Sequence, residues 1–293
     1  MSDRITCGLC SSPAVKGLYT IRGIDLKQCE DCGAIFVYPP SSFEELLSGY
    51  QEQYFQSGEH LEWGYEDYFR LEEEVRETAR RRLQVMSNYV SGGKLLESGC
   101  ATGWFLDEAA RQGFDVQGVE ISRFASEWGR ENLGLRIFTG TLSEARLADE
   151  EFDVVVLWDV LEHLTEPLAE LNQISRILKS GGYLFVSIPD AGSFWARAMG
   201  NKWFGYAKIR EHIFYYDRRS IAKVMSRAGF EIVRMQSSPF LVSMDFLVSK
   251  LAQYSETLAR LIDRLLHVLG LRKRMINLRN VDLMVAARKE SHR

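Results

Sequence analysis

Residues 95–103 read Leu-Leu-Glu-Ser-Gly-Cys-Ala-Thr-Gly, and this stretch decides the fold. An apolar run ends at Glu97, and small residues then alternate at Gly99, Ala101 and Gly103. A strand that stops at an acid and turns at once into a helix needs such residues. The backbone must approach a ligand closely and adopt conformations that a Cβ opposes. The helix that follows offers unpaired N–H groups at its start. A nucleotide-like cofactor is the natural occupant of such a turn.

Two further acids narrow the choice. Glu120 closes the segment Asp115-Val-Gln-Gly-Val-Glu120, about 20 residues beyond the glycine turn, where an acid can take both ribose hydroxyls. Asp159 closes Phe152-Asp-Val-Val-Val-Leu-Trp-Asp159. A nicotinamide fingerprint asks for Gly-x-Gly-x-x-Gly. Counted from Gly99, its third glycine falls on Trp104, too bulky for tight helix–strand packing.

On these residues the chain resembles the class I S-adenosylmethionine (SAM) methyltransferases. Their first motif is matched by Glu97-Ser-Gly-Cys-Ala-Thr-Gly103, with Glu where Asp is more common. Their second-strand acid is matched by Glu120, and their fourth-strand acid by Asp159 within Trp158-Asp-Val-Leu-Glu-His-Leu164. Leu178-Lys-Ser-Gly-Gly-Tyr-Leu-Phe-Val-Ser-Ile188 matches the approach to their fifth strand. The likeness covers roughly residues 90–290. It implies an α/β fold: a Rossmann-like, seven-stranded mixed sheet with helices on both faces and the seventh strand antiparallel between the fifth and sixth. It also implies SAM as cofactor. Glu97, Ser98, Gly99, Ala101 and Gly103 would then face the methionine part, Glu120 the ribose, and Ile121, Thr141 and Leu142 the adenine. Asp159 would sit near the methionine amino group or the transfer axis.

The 293 residues allow one large domain and an appendage. A net charge of −4 does not favour bulk attraction to nucleic acid. No apolar run is long enough to span a bilayer, and the N-terminus lacks a secretory core, so a cytoplasmic location is expected.

Four of the five cysteines form two pairs, Cys7-Gly-Leu-Cys10 and Cys29-Glu-Asp-Cys32. Two Cys-x-x-Cys knuckles at this separation fit a four-thiolate structural zinc site; disulfides or a redox pair are the alternatives. Cys100 is read as a packing residue. The expected organisation is a zinc ribbon over 1–37, a linker and N-terminal helical segment over 38–90, and the methyltransferase domain over 91–290. The helical segment carries Tyr50, Tyr54, Phe55, Trp63, Tyr65, Tyr68 and Phe69, either as core or over the cofactor.

Alternating strands (94–97, 115–120, 136–138, 152–158, 183–188) and helices (103–112, 122–132, 166–179, 217–228) predict a parallel sheet. Strands near 231–235 and 282–287 complete it. An insert over 237–280 places Leu251, Tyr254, Leu258, Leu261, Leu265 and Val268 at alternating steps of three and four, an amphipathic helix. Three placements are open for it: packed on its own domain, in a homodimer seam, or as a peripheral contact with an anionic membrane surface.

Methyl transfer needs an aligned acceptor and, for a hydroxyl, a base. His163, four residues after Asp159, and His212, in Arg210-Glu-His-Ile-Phe-Tyr-Tyr216, are the catalytic candidates; a histidine that merely fixes a loop is the alternative. Asp159, Glu162, His163 and His212 together also resemble a magnesium site of some methyltransferases acting on ubiquinone precursors or RNA ends. The ribbon resembles that of bacterial deoxysugar methyltransferases. The expected acceptor is therefore a small molecule, first a sugar or glycoconjugate hydroxyl or carbon, then a quinone-like phenol. A non-catalytic SAM-fold scaffold is the contrasting class.

Overall fold

The computed structural model describes residues 5–50, 52–56, 67–252, 255–272, 274–278 and 280–290. Trp63, Tyr65 and Tyr254 lie outside the described residues. No helix among those described is long and apolar enough to cross a membrane.

The central sheet is built from β4 (Gly93–Ser98), β5 (Phe114–Glu120), β6 (Ile137–Thr139), β7 (Phe152–Trp158), β8 (Leu178–Pro189), β10 (Phe230–Ser237) and β13 (Asp282–Lys289). Its order is β10-β13-β8-β7-β4-β5-β6. β4 to β8 run parallel, and β13 lies antiparallel between β8 and β10. The expected seven-stranded mixed sheet is therefore present. Its strands form because their apolar runs are buried on both faces, as in Val154–Leu157, each fully buried. Helices α4 (Trp104–Arg111), α5 (Arg123–Leu133), α6 (Pro167–Ile177) and α8 (Arg218–Arg227) supply the crossovers. β8 begins at Leu178, so the end of the predicted helix 166–179 is strand instead.

The N-terminal segment makes β1 (Val15–Ile21), β2 (Ile24–Cys29) and β3 (Ile35–Tyr38), then α1 (Phe43–Gly49), α2 (Glu52–Phe55) and α3 (Glu72–Met86). The ribbon sheet has a fourth strand that comes from the catalytic domain: β9 (Phe214–Tyr215) pairs antiparallel with β3. The ribbon also docks on α8, where Arg227 donates to the carbonyl of Leu9 and Arg219 to that of Asp31. After the short helix α7 (Phe194–Met199), the insert folds as β11 (Leu241–Ser243), α9 (Met244–Ala252), α10 (Glu256–Val268) and β12 (Met275–Asn277). Instead of one amphipathic helix there is a helical hairpin, because Ser255 leaves the helical conformation and caps α10 through Leu258.

Candidate functional site: a cofactor and acceptor cavity

The crossovers place the carboxyl ends of β4, β5 and β7 side by side, where open α/β sheets bind ligands. Gly99 turns the chain with φ of 75°, and a Cβ there would lie 2.5 Å from Val160 Cγ2. Two N–H groups, from Ala101 and Ser122, donate to the Glu120 carboxylate at 2.7 Å each. Glu120 thus staples the first turn to the second. Burial raises its pKa, and those backbone donors oppose the rise. The Glu97 carboxyl is buried, with one oxygen unpartnered among the described residues. Burial pushes it well above the usual carboxylate range, against the pull of Arg82.

Glu97, Ser98, Gly99, Ala101, Glu120, Ile121, Thr141, Leu142 and Asp159 all line one cavity of about 1820 Å³. That exceeds the roughly 300–1,000 Å³ of an ordinary small-ligand site, so cofactor and acceptor can share it. Gly103 stands apart from this lining. With φ of 84° it starts α4, and a Cβ would meet Leu135 Cδ1 at 2.5 Å, so its smallness serves packing. Trp104 is accommodated by stacking on Tyr68 at 4.8 Å between ring centroids. The buried Cys100 has its thiol pKa pushed well up by burial and packs against Gly118, as its reading as a packing residue requires.

Arg82, on the charged helix α3, is a site residue that the sequence reading missed. Its guanidinium lies 3.0 Å from the Asp159 carboxylate and 4.7 Å above the Trp158 ring. Ser187 donates to the other Asp159 oxygen at 2.8 Å. The arginine is buried and lines the cavity, with Nε unpartnered among the described residues. A charged helix near residue 80 reads as a solvated face; only the end of β7, packed across from it, turns Arg82 inward.

The two histidines meet. The rings of His163 and His212 lie 4.7 Å apart, perpendicular to one another. The Nδ1 of His163 is 3.1 Å from the Glu211 carbonyl and 3.1 Å from the Tyr50 hydroxyl. A carbonyl only accepts, so Nδ1 carries the proton and Nε2 keeps its lone pair. Burial holds His163 down to about 4 and His212 well below the ordinary value, so both are neutral bases near pH 7. Beside them, both oxygens of the buried Glu162 lack a partner among the described residues. Burial, then the charge of Asp159, pushes its carboxyl well up. Ligand atoms of Glu162, His163 and His212 lie within 4.8 Å of one another.

A second cluster joins Cys7, Cys10, Cys29 and Cys32, again within 4.8 Å, with Sγ–Sγ separations of 3.6 Å (Cys7–Cys32) and 3.5 Å (Cys10–Cys29). Tetrahedral thiolates about 2.3 Å from a zinc ion stand roughly 3.8 Å apart, whereas a disulfide brings sulfurs to about 2.05 Å. The four cysteines are free thiols with the dimensions of a metal site.

A seven-stranded sheet of this order with an acid-rimmed, glycine-turned cavity defines a nucleotide-cofactor transferase of the class I type. The family of methyltransferase domains matches residues 71–235, and the chain belongs to it as a SAM-dependent methyltransferase. An uncharacterized protein of Methanocaldococcus jannaschii is 23% identical over 176 residues, 60% of this chain and 82% of that one. A ubiquinone biosynthesis O-methyltransferase of Methylococcus capsulatus is 33% identical over 115 residues; the match spans 36% of this chain and only 48% of that enzyme. Among solved structures, a SAM-dependent methyltransferase from Archaeoglobus fulgidus superposes with a TM-score of 0.53 at 21% identity, covering 76% of this chain and all of that one. An S-adenosylmethionine-dependent methyltransferase from Mesorhizobium loti does so at 0.50 and 16% identity, over 72% of this chain and 98% of that one. These likenesses carry the fold.

Proposed function

We propose that the protein methylates a hydroxyl of a small, largely apolar acceptor, a phenol-like ring above all, with His163 as base. The observation that carries this reading is the neutral, tautomer-fixed His163 beside His212 on the wall of an otherwise mainly apolar cavity. Tyr50, Tyr54, Phe204 and Phe246 supply aromatic faces there. A sugar acceptor would call for more convergent polar groups, so the phenol reading takes precedence over the sugar. The relatives named for ubiquinone O-methylation agree in class.

SAM, when bound, supplies a methyl group already activated on a sulfonium. The residues that fit it are the orphaned Glu97 carboxyl, the Gly99–Ala101 turn, Glu120 for the ribose, and Ile121 and Leu142 as apolar walls. Arg82 and Asp159 close the methionine end. His163 Nε2 takes the acceptor's hydroxyl proton as the oxygen becomes the nucleophile, and the Glu211 carbonyl steadies the imidazolium through Nδ1–H. The test is calorimetric titration with SAM, followed by labelled-methyl transfer to a panel of phenols and sugars. Transfer to phenols that is lost in His163→Ala supports the reading; SAM binding with no turnover on any acceptor would favour the scaffold.

One observation favours a second reading: the Glu162 carboxylate, buried with no partner among the described residues, faces two imidazoles. Glu162, His163 and His212 fit a divalent cation, whose positive charge would lower the pKa of an acceptor hydroxyl. Magnesium prefers all-oxygen ligands, so this donor set points to zinc, manganese or iron rather than the magnesium considered from sequence. Manganese titration of wild type and Glu162→Gln separates the two readings. At the ribbon, Cys7, Cys10, Cys29 and Cys32 hold a structural zinc in this proposal, a closed site with no open position for chemistry.

A further inference from the structure

Helix α10 presents one broad apolar arc. Ala259 and Leu266 are buried, and the helix packs on α9. The rest of the arc leaves Leu261, Leu265 and Val268 exposed at 66%, 58% and 81%, with Leu258 and Leu269 exposed beside them. These positions share one helix face. A stripe of five large apolar side chains on a charged protein demands a partner.

The charge pattern names it. Arg260 and Arg264 flank the stripe and are exposed, and the helix runs into Leu271-Arg-Lys-Arg274. Five basic residues against two acidic ones over 256–274 invert the sign of a chain whose net charge is −4. The hairpin is braced to hold that face outward: Arg272 reaches Asp245 of α9 at 2.6 Å and Asp263 of α10 at 3.2 Å. A helix of 13 residues is about 20 Å long, and with these exposures its stripe amounts to a few hundred Å² of apolar surface. That is below the roughly 800 Å² per partner of a stable protein interface. A short apolar stripe edged by arginines suits the headgroup boundary of a bilayer, which it need only enter by about 5–10 Å.

We propose that α10 seats its Leu261, Leu265 and Val268 face in an anionic membrane surface. α9, directly behind it, lines the cavity with Phe246 and Leu247, so the docked protein keeps that cavity one helix away from the lipid. The inference concerns where the protein works and stands apart from the acceptor it methylates.

The experiment is sedimentation of the full chain with vesicles of phosphatidylcholine alone or mixed with phosphatidylglycerol, with SAM calorimetry and light-scattering mass on the same samples. Wild type is expected to sediment with the anionic vesicles only, and less so as salt rises. Leu261→Glu with Leu265→Glu should abolish sedimentation. Arg260→Gln with Arg264→Gln should weaken it by roughly 25-fold, about fivefold per arginine. Unchanged SAM affinity in both variants shows that they fold and leaves the methyltransferase reading untouched. Wild type that ignores anionic vesicles, or a leucine variant that still binds them, overturns the proposal. So does a wild-type dimer that the leucine variant dissociates in the absence of vesicle binding.

Discussion

The backbone N–H of Val37, in the cysteine ribbon, donates to the carbonyl of Ile213 at 2.9 Å, and the N–H of Ile213 donates to the carbonyl of Glu162 at 2.8 Å. A single residue therefore ties the ribbon to the segment carrying His212 and to the helical turn carrying Glu162 and His163. The ribbon strand β3 is thereby joined through one residue to both segments that carry the paired histidines.

The first prediction follows from that link. Cys7→Ser with Cys10→Ser should release about one zinc per chain and lower the melting temperature, because a segment this small draws its folding energy from the metal. The ribbon strands share a sheet with β9 and lie in a different sheet from β4 and β5, so SAM affinity should change little. Transfer should fall by roughly a hundredfold, the scale of a misplacement of about 1 Å at a catalytic group. Elemental analysis, calorimetry and a transfer assay on one preparation check all three. Full turnover from zinc-free protein would show that the ribbon does not position His212.

Gly99→Ala tests the turn. A methyl group there must occupy a positive φ and displace Val160, which its Cβ would approach to 2.5 Å. Strain of about 1–2 kcal/mol and a shifted turn are expected to weaken SAM binding at least tenfold by calorimetry. Wild-type affinity in a folded variant would remove the turn from the cofactor site.

Much of this architecture was legible in the sequence because burial on both faces writes itself as unbroken apolar runs. Phe152–Trp158 could hardly be anything but an interior strand, and acids closing such runs marked Glu97, Glu120 and Asp159. What stayed hidden depended on contacts distant in sequence. β9 has two residues, Phe214 and Tyr215, too few for a period, and exists only because β3 offers an edge. Arg82 looks like any arginine of a charged helix until Asp159, 77 residues on, receives it. Gly103 matched the motif, yet it serves the packing of Leu135 rather than the cavity wall.

Arg82→Met isolates the ion pair. Asp159 is 45% exposed while Arg82 is 8% exposed, so solvent screens one partner and a stability loss of about 1–2 kcal/mol is expected, below that of a fully buried pair. Loss of the cation also leaves Glu97 and Asp282 without its stabilising charge. SAM affinity should drop by roughly tenfold or more. Arg82→Lys should not restore it, since an ammonium cannot both lie over Trp158 and reach Asp159 as a planar guanidinium does. Urea unfolding and calorimetry on both variants read the two effects separately.

His163 sets a pH dependence whose sign can be worked out. Burial holds its folded pKa to about 4, against about 6.5 in an unfolded chain. Between those values the unfolded chain binds the proton and the folded one does not, so stability rises with pH. The contribution is complete above about pH 6.5 and is lost as pH falls through the folded value, to a total of about 3 kcal/mol. Buried carboxyls such as Glu162 and Asp282, shifted upward, act in the opposite direction, so the raw profile mixes the two. The difference between wild type and His163→Gln removes the shared background. From about pH 7 to about pH 5, wild type should lose about 2 kcal/mol more unfolding free energy than the variant. A difference that stays constant with pH would mean that His163 titrates alike in the folded and unfolded chain, and that burial does not hold its proton affinity down.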